Sequence, residues 1–334
     1  MKFGIFPLDE AEGAIAAHAL RGDGFALRKG QVISAAHVAA LRGAGTASVI
    51  AARLEPGDVA EDAAAARLAA LIGGAHLRAE KPFTGRVNLF AEEAGLVKVD
   101  EPAIDAVNRL DEAVTVATLP AFRRVSSGDM VATVKIIPFA AREDSLAAAE
   151  RAKGAQGAVA VAPFRPLQVA MVSTLLPGLK LSVVAKTVRI FEGRLAPSGS
   201  KLIYEVRSRH DVASLARAIE LAARRAELVV IFGASAITDR RDVIPAAIEA
   251  CGGRIEHFGM PVDPGNLLLI GNVFRKPVLG APGCARSPRE NGFDWVLDRL
   301  LAGVPIGRAE IQAMGVGGLL MEIASRPQPR TRDE

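Results

Sequence analysis

The sequence predicts an α/β protein. A three-layer domain with a mostly parallel sheet follows a smaller, β-rich α+β domain. Three observations carry this. From Arg165 onward, apolar runs of four to six residues alternate with longer amphipathic stretches, the pattern of strands joined by helices. Residues 227–245, ELVVIFGASAITDRRDVIP, place a glycine at the end of one apolar run and a polar loop before the next helix. Some forty residues later a second apolar run ends in Ala281-Pro282-Gly283-Cys284. Loops that leave the carboxyl ends of buried strands are where open α/β sheets take their ligands.

Taken in order, residues 7–20 are expected to form a short helix, and Phe25–Ile33 extended chain turning at Lys29-Gly30. Ser34 has the side chain of an N-cap for a helix through Leu41. Gly43 and Gly45 end that helix, and Thr46–Leu54 alternates as a strand does. Asp58–Ile72 is an Ala-rich helix closed by Gly73-Gly74. Between Phe83 and Phe139 extended segments, with Met130–Ile137 the clearest, surround a helix near Ala103–Arg109. Residues 141–160 are expected to be a helix plus linker.

In the second half the expected strands are Gln168–Ser173, Lys201–Val206, Leu228–Phe232, Leu267–Ile270 and Val278–Gly280. The expected helices are Ser182–Leu195, then Asp211 to Ala226, then a helix capped by Asp242 that stops at Gly252-Gly253, and Gly292–Ala302. The domain limits that follow are 1–160, 166–306 and a 307–334 extension, whose end SRPQPRTRDE has the composition of a linker or disordered segment.

Composition narrows the function. Half of the 334 residues are hydrophobic, with one Trp and one Tyr, so the core is aliphatic. No apolar run is long enough to span a membrane, and MKFGIFPLDE lacks a signal pattern. Cys251 and Cys284 are too few for a disulfide framework. A cytoplasmic location is expected. Residues 1–165 carry 19 Lys/Arg against 20 Asp/Glu, and residues 166–334 carry 22 against 17. The positive excess therefore lies in the half with the two loops. It suits a small anionic ligand or a solvated arginine surface, and it is too sparse, with too few aromatics, for a nucleic-acid stripe. No Walker A loop, zinc spacing or nucleic-acid motif is present.

Residues Gly233-Ala234-Ser235-Ala236, Arg241-Asp242-Val243-x-Pro245, Val262-Asp263-Pro264-Gly265-Asn266-Leu267-Leu268 and Pro282-Gly283 together resemble the molybdopterin-binding domain. Adenylyltransferases and molybdotransferases of molybdenum cofactor biosynthesis share that domain. PLDEAEGAIAAHAL, LRKGQVISAAHVAALRGAGTASVIAARL and GDMVATVKIIP look like the front segments of the molybdotransferases. The resemblance implies molybdopterin or the molybdenum cofactor as ligand, with Mg²⁺ as a further candidate, and a homo-oligomer. It assigns Gly233, Ala234, Ser235, Arg241, Asp263, Asn266, Pro282, Gly283 and Cys284 to the ligand, and Asp242 to catalysis and the metal.

Each of these residues also has a plain structural use. Asp242 is a ready helix cap, and Asn266 suits a turn. Arg240 and Arg241 are candidates to pair with a phosphate, or are solvated or bonded to Asp239. Cys284 is a small residue in a tight loop, and His257 is a lone histidine. Arg286, Ser287 and Arg289 open the last helix, and Lys180 and Lys186 flank the first one.

Asp263 and Asn266 stand where the molybdotransferase pattern K-P-G-K-P has its two lysines, and Ser173–Lys180 replaces a Gly-Asp-Glu loop. No counterpart of that family's C-terminal β-barrel is expected in the residues after Ile306. Two functions follow. One is a module that binds the cofactor and presents it to a nucleotidyltransferase domain or a molybdoenzyme. The other is an enzyme that transfers a nucleotide or molybdenum onto molybdopterin. The lysine replacements favour the module.

Overall fold

Six strands from the second half of the chain assemble into one sheet around an apolar central run, Leu228–Phe232, that is buried on both faces. The computed structural model describes residues 1–22 and 24–320. The expected linker at residues 325–334 lies outside them. The chain divides into two compact units, Met1–Ala162 and Pro163–Glu334.

In the second unit the strands are β1 (Gln168–Leu175), β2 (Lys201–Arg209), β3 (Leu228–Phe232), β4 (Arg254–Phe258), β5 (Leu269–Val273) and β6 (Lys276–Ala281). Their order across the sheet is β2-β1-β3-β6-β5-β4. The first four are mutually parallel, while β5 and β4 pair antiparallel. All five residues of β3 are buried, as a central strand covered on both sides requires.

The side-chain alternation of the strands splits the core into two layers. Met171, Val230, Phe232 and Leu279 face Phe191 and Leu195 of α1 (Leu181–Leu195), together with residues of the helix Gly292–Leu301. Three phenylalanines meet in this layer: Phe191 and Phe232 lie edge to face with centroids 5.6 Å apart, and Phe293 lies 6.2 Å from Phe232. Ala170, Val172, Val229 and Ile231 face α2 (Val212–Arg225) and α3 (Val243–Ala250). The helix Gly292–Leu301 is α4. The expected three-layer architecture with its mostly parallel sheet is therefore present.

Two features depart from the expected elements. Arg254–Phe258 is an edge strand that the sequence conceals, because only Ile255 of its five residues is buried. β5 and β6 join as a hairpin whose turn, Phe274-Arg275, has positive φ at both residues (51° and 63°) without a glycine or asparagine to announce it. Farther on, α5 (Arg308–Gln312) and the turn after it add the buried Ile311 and Met314 to the same core as α4.

The first unit is built from small antiparallel sheets. Lys2–Pro7, Ser48–Arg53 and Ile15–Ala16 form one, and Val114–Thr118, Met130–Ile136, Arg86–Ala91 and Leu77–Ala79 another. Ser34 caps the helix Ala35–Gly43, accepting from the His37 backbone N–H. The helix expected over residues 7–20 is corrected to one turn, Leu8–Ala11. Gly13 takes a positive φ of 80° and Ile15–Ala16 returns as a strand. The helix expected from Asp58 begins at Glu61, since Asp58–Ala60 pairs with Ala140–Arg142. No helix among the described residues is long and apolar enough to cross a membrane.

Candidate functional site

The parallel pairing of β3 with β6 sets Phe232 beside Ala281, so the loops that leave these strands emerge side by side. β1 ends at the same level, with Ser173 beside Phe232, and β2 reaches it with Arg209 beside Leu175. β5 runs the other way and begins there, Leu269 opposite Gly280, which brings the 259–268 segment to the same end. The expected site residues thus share one end of the sheet.

The first loop starts at Gly233. A Cβ at this position would lie 2.7 Å from the Ser235 carbonyl oxygen and 2.8 Å from Ile244 Cδ1, so the chain's own fold needs the glycine. The Ala234 N–H donates to Thr174 Oγ1 at 2.7 Å. Thr174 Oγ1 lies 2.8 Å from His210 Nδ1, and His210 Nε2 lies 3.2 Å from Ser235 Oγ. Thr174 is buried while Ser235 is exposed. The loop closes at Asp242, the N-cap of α3, whose carboxylate oxygens accept from the backbone N–H of Val243 at 2.7 Å and of Thr238 at 3.1 Å. Arg241 is exposed and bonded to Asp239 at 2.8 Å. That pairing lowers the Asp239 carboxyl below its ordinary range, through the Arg241 hydrogen bond first.

The second loop contains the short helical turn Gly283–Arg286 and is braced from within. Arg194 of α1 is buried, donates from Nε to Asp294 at 2.6 Å, and donates to the carbonyls of Ala285 at 2.9 Å and Ser287 at 2.6 Å. Asn291, also buried, caps α4 and donates to the Arg289 carbonyl at 3.0 Å. Cys284 Sγ lies 3.6 Å from Asn291 Oδ1. A Cβ on Gly283 would meet nothing within 4 Å, and its φ is not in the left-handed region, so no protein contact explains this glycine.

Arg286 ties the two loops together. Its guanidinium donates to the Gly233 carbonyl at 2.6 Å and to the buried Thr187 hydroxyl at 3.0 Å, and it lies 5.4 Å from the centre of the Phe232 ring. It is half-buried, and burial pulls its pKa below the ordinary guanidinium value. No carboxylate pairs with it among the described residues. Ser173 Oγ is buried with no hydrogen-bond partner. Its place beside Phe232 in the parallel register puts it on the same face of the sheet as that ring.

The third segment holds Asp263 and Asn266. Asp263 uses its backbone, accepting from the Leu320 N–H at 2.9 Å and donating to the Gly318 carbonyl at 2.8 Å, and the peptide to Pro264 is cis. The Asn266 side chain reaches back to the Met260 carbonyl at 3.4 Å. Gly265 allows the segment to seat on α4, since a Cβ there would be 2.8 Å from the Gly292 backbone.

Gly233, Ala234, Ser235 and the Gly283 loop are therefore brought into one network. Thr174, Thr187, His210 and Arg286 join it, and of these only Arg286 stood out in the sequence. Lys180 and Lys186 are exposed. His257 sits on the edge strand, its pKa lowered by burial first and then by Arg308 and Arg240. Among the described residues no group of three or more His, Cys, Asp or Glu is placed to hold a metal ion.

One family model matches the chain: a domain of unknown function, DUF8806, over residues 5–53. No curated protein matches the sequence. Similar solved structures include a molybdopterin biosynthesis moea protein from Pyrococcus horikosii, at 17% identity and TM-score 0.33, covering 91% of this chain and 75% of that one. Another is a molybdenum cofactor biosynthesis protein B, at 16% identity and TM-score 0.29, covering 40% of this chain and 87% of that one. A third is the protein CinA from Thermoplasma acidophilum, at 14% identity and TM-score 0.31, covering 36% of this chain and 90% of that one.

Proposed function

We propose that the second unit binds molybdopterin, or the molybdenum cofactor made from it, at the end of the sheet where the 233–242 and 282–291 loops meet, and that the chain acts as a binding module in cofactor biosynthesis or delivery. The single observation that carries this is Arg286: a half-buried guanidinium without a carboxylate partner among the described residues. Burying a cation without an anion is costly, and a phosphate supplies the missing charge. Two of its five N–H donors are spent on Gly233 and Thr187, which leaves three for a phosphate oxygen.

Two further features fit the same ligand. Gly283 opens a place where a ligand can approach backbone closely, and the unpartnered Ser173 hydroxyl lies on the face that Arg286 covers. The sequence motif around Gly233-Ala234-Ser235 and Arg241-Asp242 supplies the pterin identity by resemblance. Asp242 serves this reading as a helix cap. Its two oxygens accept the backbone N–H groups of Thr238 and Val243.

Isothermal titration of molybdopterin into the full chain tests the reading. Arg286→Met is expected to weaken binding at least tenfold, with Arg286→Lys between it and wild type, since lysine keeps the charge but not the planar fork. Equal affinity in all three proteins would overturn the placement. Release of pyrophosphate or AMP by the wild-type chain from molybdopterin and ATP, lost in Asp242→Asn, would establish the transferase instead of the module.

A further inference from the structure

We propose that His210, held by Thr174, is the positioning residue that makes Ser235 a hydrogen-bond donor to the ligand, so that the ligand group at this point is an acceptor oxygen. The inference rests on the binding site proposed above. It concerns one contact within that site, and the sequence motif assigns neither His210 nor Thr174 to it.

The direction of each bond follows from counting donors. The Ala234 N–H can only donate, and it donates to Thr174 Oγ1 at 2.7 Å. The Thr174 hydroxyl then has one proton left to place. The partner within reach is His210 Nδ1, at 2.8 Å. A neutral imidazole that accepts at Nδ1 carries its proton on Nε2. That proton points to Ser235 Oγ at 3.2 Å. Ser235 thus accepts from inside the protein, and its own hydroxyl proton is turned outward. Ser235 is exposed and Thr174 is buried, so the chain runs from the interior to the surface in one direction.

The chemical consequence is selectivity. A phosphate oxygen or a ring carbonyl can accept from Ser235, whereas an amino edge that can only donate is confined to the one lone pair that His210 leaves. Three separate parts of the fold are needed for this: β1 supplies Thr174, the end of β2 supplies His210, and the loop after β3 supplies Ser235. Without His210, both lone pairs of the Ser235 hydroxyl are open to a donor and the preference for an acceptor is lost.

Nitrogen-15 NMR of the imidazole ring in the full chain reads the proposal directly. With the ring neutral, His210 is expected to hold its proton on Nε2. Thr174→Val is expected to mix the two tautomers and Thr174→Ser to restore the wild-type spectrum. A ring protonated on Nδ1 in the wild type, or a tautomer unchanged by Thr174→Val, would overturn the relay whether or not molybdopterin binds.

Should Thr174→Val fail to fold, His210→Ala leaves the Ala234–Thr174 bond intact and carries the test. His210→Ala and Ser235→Ala are each expected to weaken molybdopterin up to about tenfold, and the double variant no further than Ser235→Ala alone. Additive losses would overturn the proposal. Titration of inorganic phosphate and of a pterin without phosphate tells the two acceptors apart: the loss in Ser235→Ala follows phosphate if it faces the phosphate, and the pterin if it faces the ring. A loss with neither, together with unimpaired molybdopterin binding, would overturn the donor role.

Discussion

The loops after β3 and β6 begin side by side, yet they are held by opposite means. The 282–291 loop is gripped from the interior by Arg194, whose guanidinium holds two loop carbonyls and Asp294, and by the buried Asn291. The 233–242 loop is held at its ends, by Thr174 at Ala234 and by the Asp242 cap, and between them Ser235, Ala236 and Thr238 to Arg241 are exposed. The difference teaches how such a site divides its labour. The braced loop supplies a fixed charge, Arg286, and the looser loop supplies an adaptable hydroxyl and backbone. Fixed charges lose less on binding when they are already in place, and Arg286 is placed before any ligand arrives.

The sharpest way to break the comparison is to remove the brace. Arg194→Met leaves Asp294 half-paired in a buried position and frees the Ala285 and Ser287 carbonyls. The variant is expected to lose about 3–5 kcal/mol of stability in urea unfolding. A loss below about 1 kcal/mol would show that the loop stands without Arg194.

A substitution in the looser loop should cost less. Gly233→Ala forces a Cβ to 2.7 Å from the Ser235 carbonyl and 2.8 Å from Ile244, and is expected to cost about 1–3 kcal/mol and to displace Ser235. Molybdopterin affinity should fall in step, measured by the same titration. Unchanged affinity would mean that Ser235 does not depend on the turn at Gly233.

The smallest effect is expected at the far end of that loop. Asp242→Ala removes a cap and should cost about 1 kcal/mol, while Asp242→Asn, which can still accept a backbone N–H, should unfold close to wild type. If Asp242→Asn were as destabilised as Asp242→Ala, the carboxylate charge and not the cap would be what holds the loop.

Much of this was legible in the chain, and the limits have physical reasons. The β3 run and the caps at Asp211 and Asp242 follow from local pattern, because apolar runs and N-capping act over a few residues. The residues that join the loops do not. Arg286 meets Gly233 across 53 residues of sequence, and His210 meets Thr174 across 36. Nothing in the spacing of a threonine and a histidine signals such a contact. The edge strand Arg254–Phe258 was hidden for the opposite reason: exposure on one side removes the apolar signature by which strands are found. Asp263 and Asn266 entered as replacements for cations. In the structure their segment spends its groups on its own closure, with backbone bonds from Asp263 to 318–320 and the Asn266 amide on Met260.

The mixed sheet has one more consequence, in the order of its assembly. β5 and β6 are neighbours in sequence joined by a two-residue turn, a contact that closes quickly and cheaply. β3 and β6 are separated by a helix, an edge strand and a hairpin arm, and their pairing brings together distant chain. Short-range contacts form ahead of long-range ones when stabilities are similar. The hairpin can therefore form as a local unit before the sheet is whole, and the seam between β3 and β6 is expected to close after it. That seam is also what sets the Gly233 loop beside the Arg286 loop. The binding end of this domain is thus a product of long-range pairing, and a chain that had zipped only its hairpin would hold all the residues of the site and none of its geometry.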